Sequence, residues 1–231
     1  MIQRQRHRLA VAALFLGVWP HAVAAAPEVK AGGVALALPG PPGDFAEAAY
    51  KLRTTFFEVL VPSTNRLLTA YAPAQSLIEL NGRKAPVELD TYAMVEVPRQ
   101  AEYSDCTPEI FEQILKTLGP SMGKFDGKNV GALEEEINLR LKSLGTTSVE
   151  LGRPEMLGGI FQKTNASGFA MLMAFKQDDH STTMATGVAM LRVKQRLIFA
   201  YLYRKYESPD AVTWVRKNLE PWVDAILANN K

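Results

Sequence analysis

Asp178, Asp179 and His180 are consecutive, the one place in the chain where two carboxylates adjoin an imidazole. Such a set could hold a divalent metal or divide acid and base work in a hydrolysis. The spacing is not that of a metal-binding HExxH helix, and the triplet falls between two apolar runs, where Asp and His are ordinary loop residues. A carboxylate-based envelope hydrolase would have to gather further acids, with Glu207 and Asp210 the nearest candidates. Cys106, the only cysteine, precedes a helix start that would stabilise a thiolate, but no base accompanies it and a bystander thiol is expected. The glycines of 39–43 and 152–159 match neither a dinucleotide fingerprint nor a phosphate loop, and no Gly-x-Ser-x-Gly elbow occurs. No metal site, cofactor or catalytic residue is therefore assigned.

A second constellation is apolar. Met171, Met173, Met184 and Met190, with Phe169, Phe175, Phe199, Tyr201 and Tyr203, could line a cavity for a hydrophobic guest, because thioethers and rings adapt to such molecules. The plainer reading is a core face beneath helices. Asp178, Asp179, His180, Phe199, Tyr201 and Tyr203 are the candidate binding residues.

Residues 182–206 must position both sets. Two apolar runs meet at Lys194-Gln195, and a two-residue loop there fixes the register, with Val193 opposite Arg196 and Leu191 opposite Ile198. One face then carries Gly187, Ala189, Leu191, Ile198, Ala200 and Leu202. The other carries Thr186, Val188, Met190, Phe199, Tyr201 and Tyr203. Neither face is polar, so these are expected to be central strands covered on both sides. Residues 157–163 and 168–176 repeat the split between bulky and small side chains, which extends the pair to a four-stranded meander.

Upstream, 34–38 reads as a short edge strand or lead-in, and 45–60 as a helix capped by Asp44 and ended by Pro62. Residues 66–72 and Thr91–Pro98 read as strands, with a short element and turn at 76–82 between them. A helix follows Pro108 and stops at Gly119-Pro120, with Ile110, Phe111, Ile114, Leu115 and Leu118 as its buried stripe. Residues 131–144 form an amphipathic helix whose Glu134–Glu136 front and Arg140, Lys142 rear complement its dipole. Ser208-Pro209-Asp210 starts a last helix along Val212, Val215, Leu219, Trp222, Ile226 and Leu227, with a kink or restart expected at Pro221. The fold class expected is α+β: an antiparallel sheet flanked by helices in an α/β/α sandwich, the C-terminal helix packed on the smooth face.

Residues 1–25 have the make-up of a cleaved secretory signal: Arg4, Arg6 and Arg8, an apolar core over 9–18, and small residues at 22–24. The mature chain, 26–231, is expected to be one periplasmic or secreted domain. It keeps 23 basic residues, 26 less the leader's three, against 24 acidic. Near-neutral charge without a basic cluster argues against nucleic acid, and no later segment has the ~20 apolar residues of a membrane span. Another envelope protein is the partner class left open.

The run VAMLRVKQRLIFAYLYRKYESPDAVTWVRKNLEPWVDAILANN resembles the closing hairpin and helix of uncharacterised secreted bacterial proteins. More loosely it is similar to the PsbP/Mog1-like group, and TYAMVEVP followed by a helix is compatible with that pattern; the resemblance covers residues 157–230. It implies a sheet sandwiched by helices, no cofactor, and a binding, assembly or accessory role without catalytic activity.

Overall fold

The computed structural model describes residues 28–81, 89–121, 131, 134–139, 142, 149–177 and 180–231. The expected leader, Asp178 and Asp179, and much of the expected helix over 131–144 lie outside them.

The chain is α+β. Its main sheet has eight strands: β3 (Phe45–Glu47), β4 (Asn65–Pro73), β5 (Thr91–Pro98), β6 (Val149–Leu151), β7 (Glu155–Lys163), β8 (Ala166–Gln177), β9 (His180–Val193) and β10 (Arg196–Lys205). They run in the order β3-β4-β5-β10-β9-β8-β6, and β7 shares β8 with β6. Every pairing is antiparallel. Strands β7 to β10 are the expected meander, and the hairpin register is the expected one: Arg196 pairs with Val193, Ile198 with Leu191 and Ala200 with Ala189.

The period of two in these strands sorts the side chains onto unlike faces, and the two faces acquire unlike covers. Ala93, Val95, Val97, Ala189, Leu191, Ile198, Ala200 and Leu202 form the smooth face, joined in one core with Leu219, Trp222, Val223 and Ile226 of α4 (Pro209–Ala228). Helix α4 begins as the sequence indicates, with Pro209 in its first turn and the Ser208 hydroxyl accepting from the Asp210 amide. Of the kink or restart expected at Pro221 the restart does not occur, and the helix is continuous from Pro209 to Ala228. Pro221 and Lys217 are both exposed, so the carbonyl that the missing N–H leaves free is open to water.

The bulky face is covered in parts. One cover is a helical run of mixed pitch: an α turn at Tyr50–Leu52 (α1), a π turn at Arg53–Phe57 and a 3-10 turn at Glu58–Leu60. Together with α2 (Ala74–Asn81) it buries Phe57, Leu77 and Leu80 against Tyr92, Met94, Met184 and Tyr203. The other is α3 (Pro108–Ser121), which packs Phe111, Ile114 and Leu115 against Met190, Leu197 and Phe199. Ile110, expected in that stripe, is 47% exposed, and α3 continues past Gly119-Pro120 to Ser121.

One N-terminal expectation is corrected. The helix does not start at 45: Phe45–Glu47 adds an edge strand to β4, pairing with Tyr71–Pro73, and helical geometry begins only at Tyr50. Backbone pairing and the contact of Phe45 with Trp214, centroids 6.4 Å apart, outweigh the helical spacing of its apolar residues. Residues 34–37 are a short strand, as expected, but they pair outside the main sheet. β1 (Glu28–Ala31) and β2 (Val34–Ala37) form their own hairpin across Gly32-Gly33, whose positive φ values of 53° and 80° suit a tight turn of glycines. Ala31, Leu36 and Leu38 from this hairpin are fully buried in the α4 core. It is fastened there by Trp222 Nε1 donating to the Pro39 carbonyl (2.7 Å) and by the Asn230 side chain.

Candidate functional site: the aromatic face

His180 opens β9 opposite Gln177 and is exposed. Asp178 and Asp179 lie outside the described residues, while Glu207 and Asp210 are exposed at the entry to α4. Among the described residues no three His, Cys, Asp or Glu side chains come together as a metal site would require. Cys106 is buried beside Phe111 and Leu197, and burial pushes its thiol up although Arg192 opposes this, so it makes a poor nucleophile. The remaining strand-end charges form separate structural pairs. Glu102 is held by Arg66 (2.5 Å) and accepts from the Gly32 amide; Arg204 lies over the Trp214 ring at 4.8 Å; Lys205 is 3.7 Å from Asp90.

The aromatic residues do come together. Tyr203 stacks on Tyr92 across the β10–β5 pair at 4.3 Å between centroids, Tyr201 lies 6.2 Å from Tyr203, and Phe199 lies 6.3 Å from Tyr201. Phe57 and Phe56 prolong the row from the helical cover. Strand geometry explains it: alternate residues of β10 share a face, and Tyr201 and Tyr203 face Met94 and Tyr92 of β5. On the other side of Tyr201 stand Val188, Met171, Phe169, Met156 and Met173, one cluster rich in thioethers. The face is closed beneath α1 and α2, at Tyr92, Met94 and Tyr203. Phe199, which α3 covers in part, and Tyr201, Met173 and Met156 are only half-buried.

Within this apolar surface sits a carboxylate that the sequence reading passed over. Glu96 on β5 is opposite Phe199 on β10 and Leu67 on β4, and is 1% exposed. Its one hydrogen-bond partner among the described residues is Asn65, whose Nδ2 donates at 2.8 Å. Burial pushes its pKa from 4.5 up to about 7, against the smaller lowering effect of the Asn65 bond. Burial and the Glu96 charge together hold the Tyr92, Tyr201 and Tyr203 phenols well above their usual range, so all three stay neutral. Thr186, fully buried opposite Tyr203 on the same face, leaves its hydroxyl without a partner among the described residues. The signal for Glu96 was present in the sequence. In TYAMVEVP it falls on the row of Tyr92 and Met94, the bulky row of a strand covered on both sides, where an acid is out of place.

Among the described residues of this face no nucleophile is aligned with a base. The face offers aromatic and thioether surface with one embedded carboxylate. No protein-family model matches the chain, and no curated protein matches it. Among solved structures it is similar to a point mutant of the protein Mog1, at 15% identity over 88% of this chain and 89% of that one, with a TM-score of 0.32. That is a loose likeness of fold and nothing more.

Proposed function

We propose that this chain is a binding protein of the bacterial envelope, without catalytic activity, that carries an apolar small molecule on the bulky face of its sheet. The observation that supports this reading is the contrast between the faces. Leu219, Trp222, Val223 and Ile226 of α4 seal the smooth face with side chains at 0% exposure, while Phe199, Tyr201, Met173 and Met156 remain half-buried on the other. Partly open aromatic and thioether side chains, adjacent and on one rigid sheet, are what a hydrophobic guest needs. The leader's composition supplies the compartment: export would place the mature chain outside the cytoplasm, beginning near residue 26.

The test is native purification from a periplasmic extract, with solvent extraction and mass spectrometry of what is released, beside titration of the purified chain with Nile red. An apolar molecule recovered in stoichiometric amount, and dye binding weakened by Phe199→Ala or Tyr201→Ala, are the expected results. A chain that stays in the cytoplasm with its leader uncut refutes the compartment. One that takes up no dye and releases no guest refutes the carrier.

A further inference from the structure

Glu96 and Glu102 are both buried glutamates, at 1% and 7% exposure. They are treated differently. Glu102 has Arg66 at 2.5 Å and the Gly32 amide, the usual provision for a carboxylate taken out of water. Glu96 has only the neutral amide of Asn65, and among the described residues no basic side chain acts on it. Among the described residues the ionisable groups that feel its charge are phenols, Tyr92 on its own strand and Tyr201 and Tyr203 on β10. A desolvated carboxylate without a counter-charge destabilises the fold unless it is protonated or a cation is supplied from outside.

The side chains beside it favour the second. Phe199 stands directly across the strand pair from Glu96, Tyr201 is the next ring on the same face, and both are half-buried. Ring faces carry negative electrostatic potential and attract cations within about 6 Å of the centroid. A carboxylate and two partly open rings on one sheet face all have the same sign of preference: they attract a positive head and repel a negative one. The thioether cluster of Met156, Met171 and Met173 continues from Tyr201 and suits an apolar body.

We infer that Glu96, with Phe199 and Tyr201, forms a charge-selective subsite for a small organic cation, an amine or quaternary ammonium group on an apolar skeleton. This rests on the carrier reading and names the class of guest. The ammonium head lies on the two half-buried rings, with the Glu96 carboxylate enclosed beneath them supplying the charge, while the apolar part runs toward the methionines. Asn65 keeps the carboxylate oriented through the bond to its other oxygen.

Three probes with the same tail and different heads test it: dodecyltrimethylammonium, dodecanol and dodecyl sulfate, each below its micelle concentration. They are titrated into the folded mature chain by displacement of Nile red, with circular dichroism to confirm that the fold persists. The cation is expected to bind about tenfold tighter than the anion, from attraction to the enclosed carboxylate and cation–π attraction together. Glu96→Gln should bring the two within about twofold while leaving dodecanol binding unchanged, and Tyr201→Leu should reduce the preference in part. Glu150→Gln, which alters an exposed acid, should leave it intact. Equal binding of the three heads, or a preference that survives Glu96→Gln, overturns the subsite and leaves the carrier standing. If none of the probes displaces the dye, the two readings fall together.

Discussion

Gly187 on β9 lies directly beneath Val215 of α4, so closely that a Cβ at position 187 would come within 2.6 Å of Val215 Cγ1 and 3.2 Å of a Leu219 methyl. The approach of the helix to the smooth face is set here, where a strand residue without a side chain lets the helix down onto Ala189 and Ala200. Gly187→Ala is therefore expected to destabilise the chain by about 1–3 kcal/mol through overpacking, although alanine is otherwise the better strand residue. Urea denaturation should show a lower midpoint. The double variant Gly187→Ala, Val215→Ala should lose less than the two single losses added together, because the clash is removed along with the methyls.

Glu96 makes stability depend on pH. Folding raises its pKa from 4.5 to about 7, so over that interval the folded chain holds a proton that the unfolded chain has released. Stability therefore falls as pH rises from about 4.5 through about 7 and levels off above, a loss on the order of 3 kcal/mol at its largest. Glu96→Gln keeps the shape and the contact with Asn65 but cannot ionise. It should flatten this part of the profile and exceed the wild type in stability at alkaline pH. Denaturation midpoints taken on either side of the interval check it, and a wild-type slope that persists in the variant would show that another group is responsible.

The legibility of the chain follows the range of the interactions that fix it. The hairpin at Lys194-Gln195 and the docking of α4 could be read because period-two and period-3.6 patterns are written over ten or more consecutive residues. The 45–60 stretch misled because Phe45 fits a helical stripe with Ala49 and Leu52 locally, while its observed partner, Pro73, lies on a distant strand. The β1–β2 hairpin was missed for a similar reason. Its strands are four residues each, and it is held by Asn230 and Trp222 at the far end of the chain. Of the candidate site, Phe199, Tyr201 and Tyr203 followed from alternation alone. Glu96 needed one further step, asking which acid the pattern forces indoors, and Asn65 could not be found without the β4–β5 register.

Thr186 offers a test of unsatisfied polarity. Its hydroxyl is fully buried with no partner among the described residues, two register positions from the Tyr201–Val188 pair on the bulky face. Valine has nearly the same shape and nothing to desolvate. Thr186→Val is expected to raise stability by about 1 kcal/mol, read as a higher urea midpoint with an unchanged slope. A loss instead would mean that the hydroxyl is satisfied in solution.

Asn230 acts as a strand partner made from a side chain. Its Oδ1 accepts from the Ala37 amide at 2.9 Å and its Nδ2 donates to the Ala37 carbonyl at 2.7 Å, so one amide group closes the ladder that β2 lacks on that side. Nδ2 also donates to the Ile226 carbonyl at 2.8 Å, which anchors it to the end of α4. Asn230→Ala leaves buried backbone groups unpaired and should cost about 1–3 kcal/mol. The loss should be concentrated in the hairpin: faster amide exchange over 28–38, with β9 and β10 protected as before.

The turn on which the sheet's register depends is built from residues that do not favour it. Lys194 and Gln195 have φ of 46° and 63°, the left-handed pair of a type I′ turn, for which Asn-Gly is the preferred sequence. Two outside contacts hold it: Lys194 Nζ donates to the Ala35 carbonyl at 3.0 Å, and the Gln195 carbonyl accepts from the Cys106 amide at 2.8 Å. The second uses only backbone, so glycine at 195 would keep it while removing the Cβ strain. Gln195→Gly is expected to stabilise the chain by about 0.5–1 kcal/mol, the relief at φ being partly offset by the greater freedom of glycine when unfolded. Lys194→Gly relieves similar strain but gives up the tie to β2, so it should gain less. If both variants gain equally, the Lys194 contact contributes nothing to holding the hairpin against the sheet.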